Sequence, residues 1–230
     1  MDDAPLLDAA RYLDAYGFDT TISGGIMVVF DQRLVPARPW WNRAIGARNH
    51  PFRALGTSRD GIDIVASGPG APVAGVTLEL AAAMGAERVV TIGTGASLDT
   101  APTGTVVAIE RAAPDTQLAR TVSPNPALTA ELRRHAGAAV AASTDAPFRQ
   151  NAVRLGTLRD AGATIVEMEC ATLFETGSRI GVAVASLVVT SDRYETDRWV
   201  PGDERSVRFG LEEARAIALE ALHTTDTPTS

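Results

Sequence analysis

Two short stretches carry residue types that do chemistry. The run Val166-Glu167-Met168-Glu169-Cys170-Ala171 sets two carboxylates and a thioether at a turn between apolar segments. Carboxylates are costly to bury unless donors or cations answer them, which marks this turn as a candidate site. Further along, Ala183-Val184-Ala185-Ser186-Leu187-Val188-Val189-Thr190-Ser191-Asp192-Arg193 is apolar and β-branched until it ends in an acid. An acidic turn paired with a strand-terminal aspartate fits a site that grips a polyol through its hydroxyls and protonates a leaving group. Plainer roles stand beside these: Asp192 as a cap or Asx turn after a strand, and Glu169 as a charge complementing a helix N-terminus.

Both stretches need a scaffold, and hydrophobic periodicity supplies one. Residues 6–16 have helical spacing, with a stop at Gly17. A strand is expected over 26–30, then an irregular segment holding Pro36, Pro39, Pro51, the pair Trp40-Trp41 and arginines 33, 38, 43, 48 and 53. Order returns with a strand at 62–66, the turn Ser67-Gly68-Pro69-Gly70-Ala71-Pro72 and a helix over 73–85. Pro72 suits a first helical turn and Gly85 the position past its end. A strand at 88–92 leads into Gly93-Thr94-Gly95-Ala96-Ser97, read as a second turn, which makes a βαβ unit with glycines at two strand ends. Ligands of open α/β sheets bind at such carboxyl ends. Neither turn has the Walker A or Gly-x-Gly-x-x-Gly pattern.

The rest reads as a strand at 104–110, a helix from Pro126 through Leu128, Leu132, Ala136, Ala139 and Val140, and a helix near 150–161. Then come a strand at 164–166 and a helix at 171–180. A strand at 182–190, a polar loop at 191–204 and a helix at 205–222 follow. The expected architecture is a single three-layer α/β/α domain with a central mixed β-sheet over residues 1–223, its first 55 residues loop-rich, and a flexible tail at 224–230.

The 230 residues carry a formal net charge of -7, which argues against a phosphate-backbone-binding surface, though not against a pocket for one small anion. With one cysteine, Cys170, no internal disulfide forms. No apolar run approaches the ~18 residues of a membrane span. The start Met1-Asp2-Asp3-Ala4-Pro5 lacks a signal peptide's pattern, so a cytoplasmic location is expected. The histidines at 50, 135 and 223 are scattered, so no metal site is expected.

Taken in order, Gly68-Pro69-Gly70-Ala71-Pro72, Gly93-Thr94-Gly95, Glu167-Met168-Glu169 and Ser191-Asp192 resemble the nucleoside phosphorylase superfamily, in its purine nucleoside and uridine phosphorylase and nucleosidase branch. The resemblance runs from about residue 56 to 222. It implies cleavage of a purine nucleoside to free base and pentose 1-phosphate, with inorganic phosphate as co-substrate and no other cofactor. It also implies a homodimer or a hexamer built as a trimer of dimers. Met168 and Glu169 look like the ribose-binding pair, with Glu167 in support. Asp192 looks like the acid that protonates the base at N7, with Ser191 beside it and Arg205, thirteen residues on, as its partner. Phe148 falls where the family places an aromatic against base or ribose, and His50 where a neighbouring subunit's histidine meets the sugar.

One part of the pattern is broken. Phosphorolytic members carry an arginine two residues before the first glycine of the second loop, where this chain has Thr91. The expected anion pocket is therefore Gly70, Thr91, Thr94 and Gly95 with Arg48, and Arg33 or Arg53 as further cations. A guanidinium replaced by a hydroxyl holds a dianion less well. Two alternatives stay open on the sequence: a nucleosidase that uses water, and a non-catalytic nucleoside-binding protein.

Overall fold

Local chemistry starts and stops the helices, and apolar runs buried on both faces make the strands. Asp8, Asn125 and Asn151 each accept a hydrogen bond from an amide three residues on, opening three helices. In the computed structural model, which describes residues 7–18, 21–35, 50–196 and 198–224, these are α1 (Ala9–Ala15), α3 (Pro126–Leu132) and α4 (Ala152–Asp160). The others are α2 (Ala71–Ala83), α5 (Cys170–Ile180) and α6 (Glu204–Thr224). Pro72 sits in the first turn of α2, and Gly85, with φ +114°, follows its end. Arg48 and the pair Trp40-Trp41 lie outside the described residues, as does the tail from 225.

The strands are β1 (Gly25–Val29), β2 (Ala54–Thr57), β3 (Asp63–Ala66), β4 (Arg88–Ser97), β5 (Val106–Pro114), β6 (Gly137–Ser143), β7 (Ile165–Glu167), β8 (Ala183–Tyr194) and β9 (Trp199–Val200). They form one mixed sheet in the order β2-β3-β1-β4-β7-β6-β5-β8-β9, with a further pairing of β4 to β8. The run β4-β7-β6-β5-β8 thus returns to β4, and five strands close into a ring. Helices α1, α2 and α5 pack together on one face and α3 with α6 on the other. Side chains of β1 divide accordingly: Ile26 and Val28 face the first core, Met27 and Val29 the second. The three-layer expectation holds.

Four expectations change. The stretch 93–97 is no turn: β4 runs straight through Gly93-Thr94-Gly95, because β8 pairs along its full length. The segment 137–143 is strand β6, not the end of a helix; its alanines mimic helical spacing, but the chain pairs in parallel with β5 and β7 instead. Asp192 does not end its strand, since β8 continues to Tyr194 and turns into β9. Finally, β2 pairs antiparallel with β3 in a segment read as irregular. Among the described residues no helix is long and apolar enough to cross a membrane.

Two glycines measure how tightly the layers meet. A Cβ on Gly210 in α6 would lie 2.4 Å from the Gly104 carbonyl oxygen and 2.6 Å from Val189, whereas one on Gly156 in α4 meets nothing within 4 Å. Gly210→Ala is expected to lower unfolding stability by about 1–3 kcal/mol in urea titrations. Gly156→Ala should raise it by about 0.4–1 kcal/mol, since a helical glycine is replaced without contact.

Candidate active site

β4 has two edges but three partners. β8 takes one edge whole. The other is divided: β1 pairs with residues 88–92, and β7, running the opposite way, pairs with Ala96 and Ser97. Between them Gly93, Thr94 and Gly95 face a gap. Ile92 accepts from the Phe30 amide on the β1 side, and Gly95 accepts from Ser191 Oγ on the β8 side. By the alternation of a strand, the Thr94 amide therefore points into the gap. The ends of β1, β3, β7 and the β8 aspartate all reach this place, and Glu169 reaches the Gly70 turn, so the four motifs come together although well over a hundred residues separate the first from the last.

The acidic turn is built around Glu167. Its side chain is buried, and its carboxylate accepts from the amides of Glu169 and Cys170, both at 2.7 Å, and from Ser143 Oγ. Ser143 in turn accepts from the Ala171 amide at 2.9 Å. Glu167 thus holds the start of α5, and the carboxylate expected to support the ribose already receives three donors from the protein. Cys170 beside it is buried, and burial followed by the Glu167 charge pushes its thiol well up, which keeps it protonated and unreactive.

Glu169 behaves differently. It accepts from the Gly70 amide at 2.6 Å, at the start of α2, and from the Met168 amide at 3.2 Å. Gly70 has φ +95°, a conformation that favours glycine and turns its N–H toward the carboxylate. Burial first, and repulsion from Glu167 second, raise the Glu169 pKa from 4.5 to about 7, against the two amides that lower it. Met168 is half-buried beside it.

At the other end of the gap, a register shift between Gly95 and Ala96 leaves Ser191 as an extra residue in β8. A bulge re-aims side chains, and here Ser191 Oγ lies 2.5 Å from Asp192 Oδ1. Asp192 Oδ2 accepts from the Trp199 indole, also at 2.5 Å. The expected partner Arg205 makes no ion pair with Asp192; its guanidinium lies 5.5 Å from the Phe209 ring centroid, at the exposed start of α6. Phe148, in a short turn before α4, is 99% exposed rather than packed in the core.

A cavity of about 450 Å³ opens at the gap, lined by Phe30, Gly93, Thr94, Ser191, Arg33 and Arg53 among others. It differs from the expected anion pocket in three members. Thr91 is 2% exposed, and its hydroxyl is 2.6 Å from Ser186 Oγ, inside the sheet. The Gly70 amide is given to Glu169. Gly95 is pressed against β7, where a Cβ would lie 2.7 Å from the Val166 carbonyl oxygen. The cations are Arg33 and Arg53. Arg33 pairs with Asp31 at 2.7 Å and lies 3.4 Å from Glu204, and its hydrogen bond holds the Asp31 carboxyl below the usual range. With its amide turned oxygen-first, Gln32 accepts from Arg53 Nη2 at 2.8 Å. His50 stacks on Phe52 with ring centroids 6.0 Å apart. No group of His, Cys, Asp or Glu among the described residues could hold a metal ion. Trp199 escaped the sequence reading, because nothing in a polar loop announces a hairpin that returns to Asp192.

A model of the phosphorylase superfamily matches residues 48–224. Among solved structures, uridine phosphorylase from Vibrio fischeri ES114 is similar at a TM-score of 0.71 and 21% identity, over 88% of this chain and 93% of that one. Purine nucleoside phosphorylase from Toxoplasma gondii, solved in complex with immucillin-H, gives 0.71 and 18%, over 89% and 92%. At such identities the likeness is one of fold. No curated protein matches in sequence.

Glu169 sets a testable pH dependence. Between pH 4.5 and about 7 the folded state keeps a proton on Glu169 that the unfolded chain has released. Its contribution therefore favours folding below this window and is lost as pH rises through it, by on the order of 3 kcal/mol. Glu169→Gln should remove that slope: urea stability of the wild type relative to the variant should fall between pH 5 and 8, and a constant difference would count against the raised pKa.

Proposed function

The chain belongs to the phosphorylase superfamily, and from there we propose that it splits the N-glycosidic bond of a purine nucleoside by phosphorolysis, giving free base and pentose 1-phosphate. The observation that carries this is the cavity itself: two arginines and Thr94 line it, and so does Ser191, the neighbour of Asp192. A phosphate oxygen attacks C1′ while the C1′–N9 bond opens and its electron pair leaves with the base. Arg33, Arg53 and the Thr94 amide and hydroxyl hold the dianion. Glu169 accepts hydrogen bonds from the ribose hydroxyls, which strengthen as the ring gains oxocarbenium character. Met168 supplies an apolar wall. Asp192 gives its proton to N7, a role for which a departing purine has an acceptor in the right place.

Glu167 is assigned no substrate contact, and Arg205 only a place at the rim. The assembly we propose is a homodimer or a trimer of dimers, with the exposed Phe148 at a subunit boundary completing the base pocket. Hydrolysis is the second reading, favoured by Thr91: the place of the usual arginine is filled by a hydroxyl turned into the sheet.

The test is base release from inosine, guanosine and adenosine with and without phosphate, with the sugar product identified. Sugar 1-phosphate formed only with phosphate is expected; free ribose at equal rates in both conditions would overturn phosphorolysis. Arg33→Ala and Arg53→Ala should each raise KM for phosphate about tenfold or more and change the nucleoside KM far less. Asp192→Asn should cut turnover by ~10²–10⁴. Because Glu169 must accept hydrogen bonds, kcat/KM should climb as pH rises toward about 7.

A further inference from the structure

The β8–β9 hairpin does more than finish the sheet. Tyr194 pairs with Trp199 across it, and the turn between them is braced by Glu195, which bonds both Arg193 at 2.9 Å and Arg198 at 2.6 Å. Asp192 lies two residues before Tyr194 on the same strand. That sets it diagonally across from Trp199, a separation an indole can span. The indole Nε1 donates to Asp192 Oδ2 at 2.5 Å, while Ser191 Oγ meets Oδ1 at the same distance. Both carboxyl oxygens are therefore fixed, and the plane of the group with them.

Ser191 has one hydroxyl hydrogen and two oxygens in reach, Asp192 Oδ1 and the Gly95 carbonyl at 3.2 Å. With the carboxyl ionised, Ser191 donates to Oδ1. With the carboxyl protonated, Oδ1–H donates to Ser191, which donates on to Gly95. The Trp199 bond to Oδ2 serves in both states. The heavy atoms can keep their places in both states, and at transfer only the Oδ1 proton turns from Ser191 Oγ toward N7. The indole is also 55% exposed, so it lies at the protein surface rather than in the core.

We propose that Trp199 is a positioning residue for base protonation, holding the Asp192 carboxyl in the plane from which its proton reaches purine N7. This rests on the assignment of Asp192 as the acid. In the step it serves, the proton passes from the Asp192 carboxyl to N7 as C1′–N9 opens, and the bonding pair stays with the base. Trp199 touches only Asp192 in this step.

The experiment compares guanosine with its N7-methylated form, whose base already carries the positive charge and needs no proton. Trp199→Phe keeps the aromatic ring and deletes the donor. It is expected to lower kcat on guanosine about tenfold, to move KM by less than about threefold, and to cost the N7-methylated substrate at most about threefold. In an Asp192→Asn background it should add almost nothing. Equal losses on both substrates, losses that add in the double variant, or no loss on guanosine would overturn the role of Trp199. The parent assignment fails separately: it falls if Asp192→Asn alone leaves guanosine turnover intact.

Discussion

A strand has two edges, and β4 is asked to serve three neighbours. β8 claims one edge, and β1 and β7 divide the other, leaving residues 93–95 without a partner on that side. Unpaired backbone is costly inside a protein unless something else satisfies it. Here the break lies at the surface of a cavity, which leaves the Thr94 amide accessible rather than sealed in the core. The glycines on either side allow the fork to form. Gly93 leaves room for the Phe30 ring, 3.3 Å from where its Cβ would be, and Gly95 lets the Val166 carbonyl come close.

The two buried glutamates show how neighbours of one charge are kept apart in role. Glu167 receives three donors, which answer its buried carboxylate locally. Glu169 receives two amides, too few to offset its burial and the charge beside it, and stays poised near neutrality. The difference follows from the turn. Glu167 ends β7 and faces back toward the first amides of α5, whereas Glu169 precedes the helix and faces Gly70 across the cleft.

Much of this was legible in the sequence because motif chemistry is local. The turn at Gly70, the Pro72 and Gly85 boundaries and the acidic turn lie where their residue types say they should, whereas Asp192 stands inside β8 rather than at its end. What escaped depends on pairing between distant segments. The alanines of β6 satisfy a helical period as well as a strand's, and only β5 and β7 decide between them. Glycine in 93–95 reads as a turn, yet β8 carries the strand through it. Thr91 looked like a weakened anion ligand because its neighbours belong to the pocket. Its own side chain points to Ser186, a residue 95 positions away. Arg33 and Arg53 could be counted among the arginines but not ranked, since their nearness to Thr94 depends on how β1 and β2 end.

The fork also separates inheritance. The arginines that line the cavity come from the segment after β1 and from just before β2, Glu169 from the β7–α5 turn, and Asp192 from the part of β8 that turns into β9. On the proposed function, each piece would meet a different part of the reacting molecules. On the same reading, a change of attacking group would need only one loop rewritten, with the acidic turn and the hairpin left as they are.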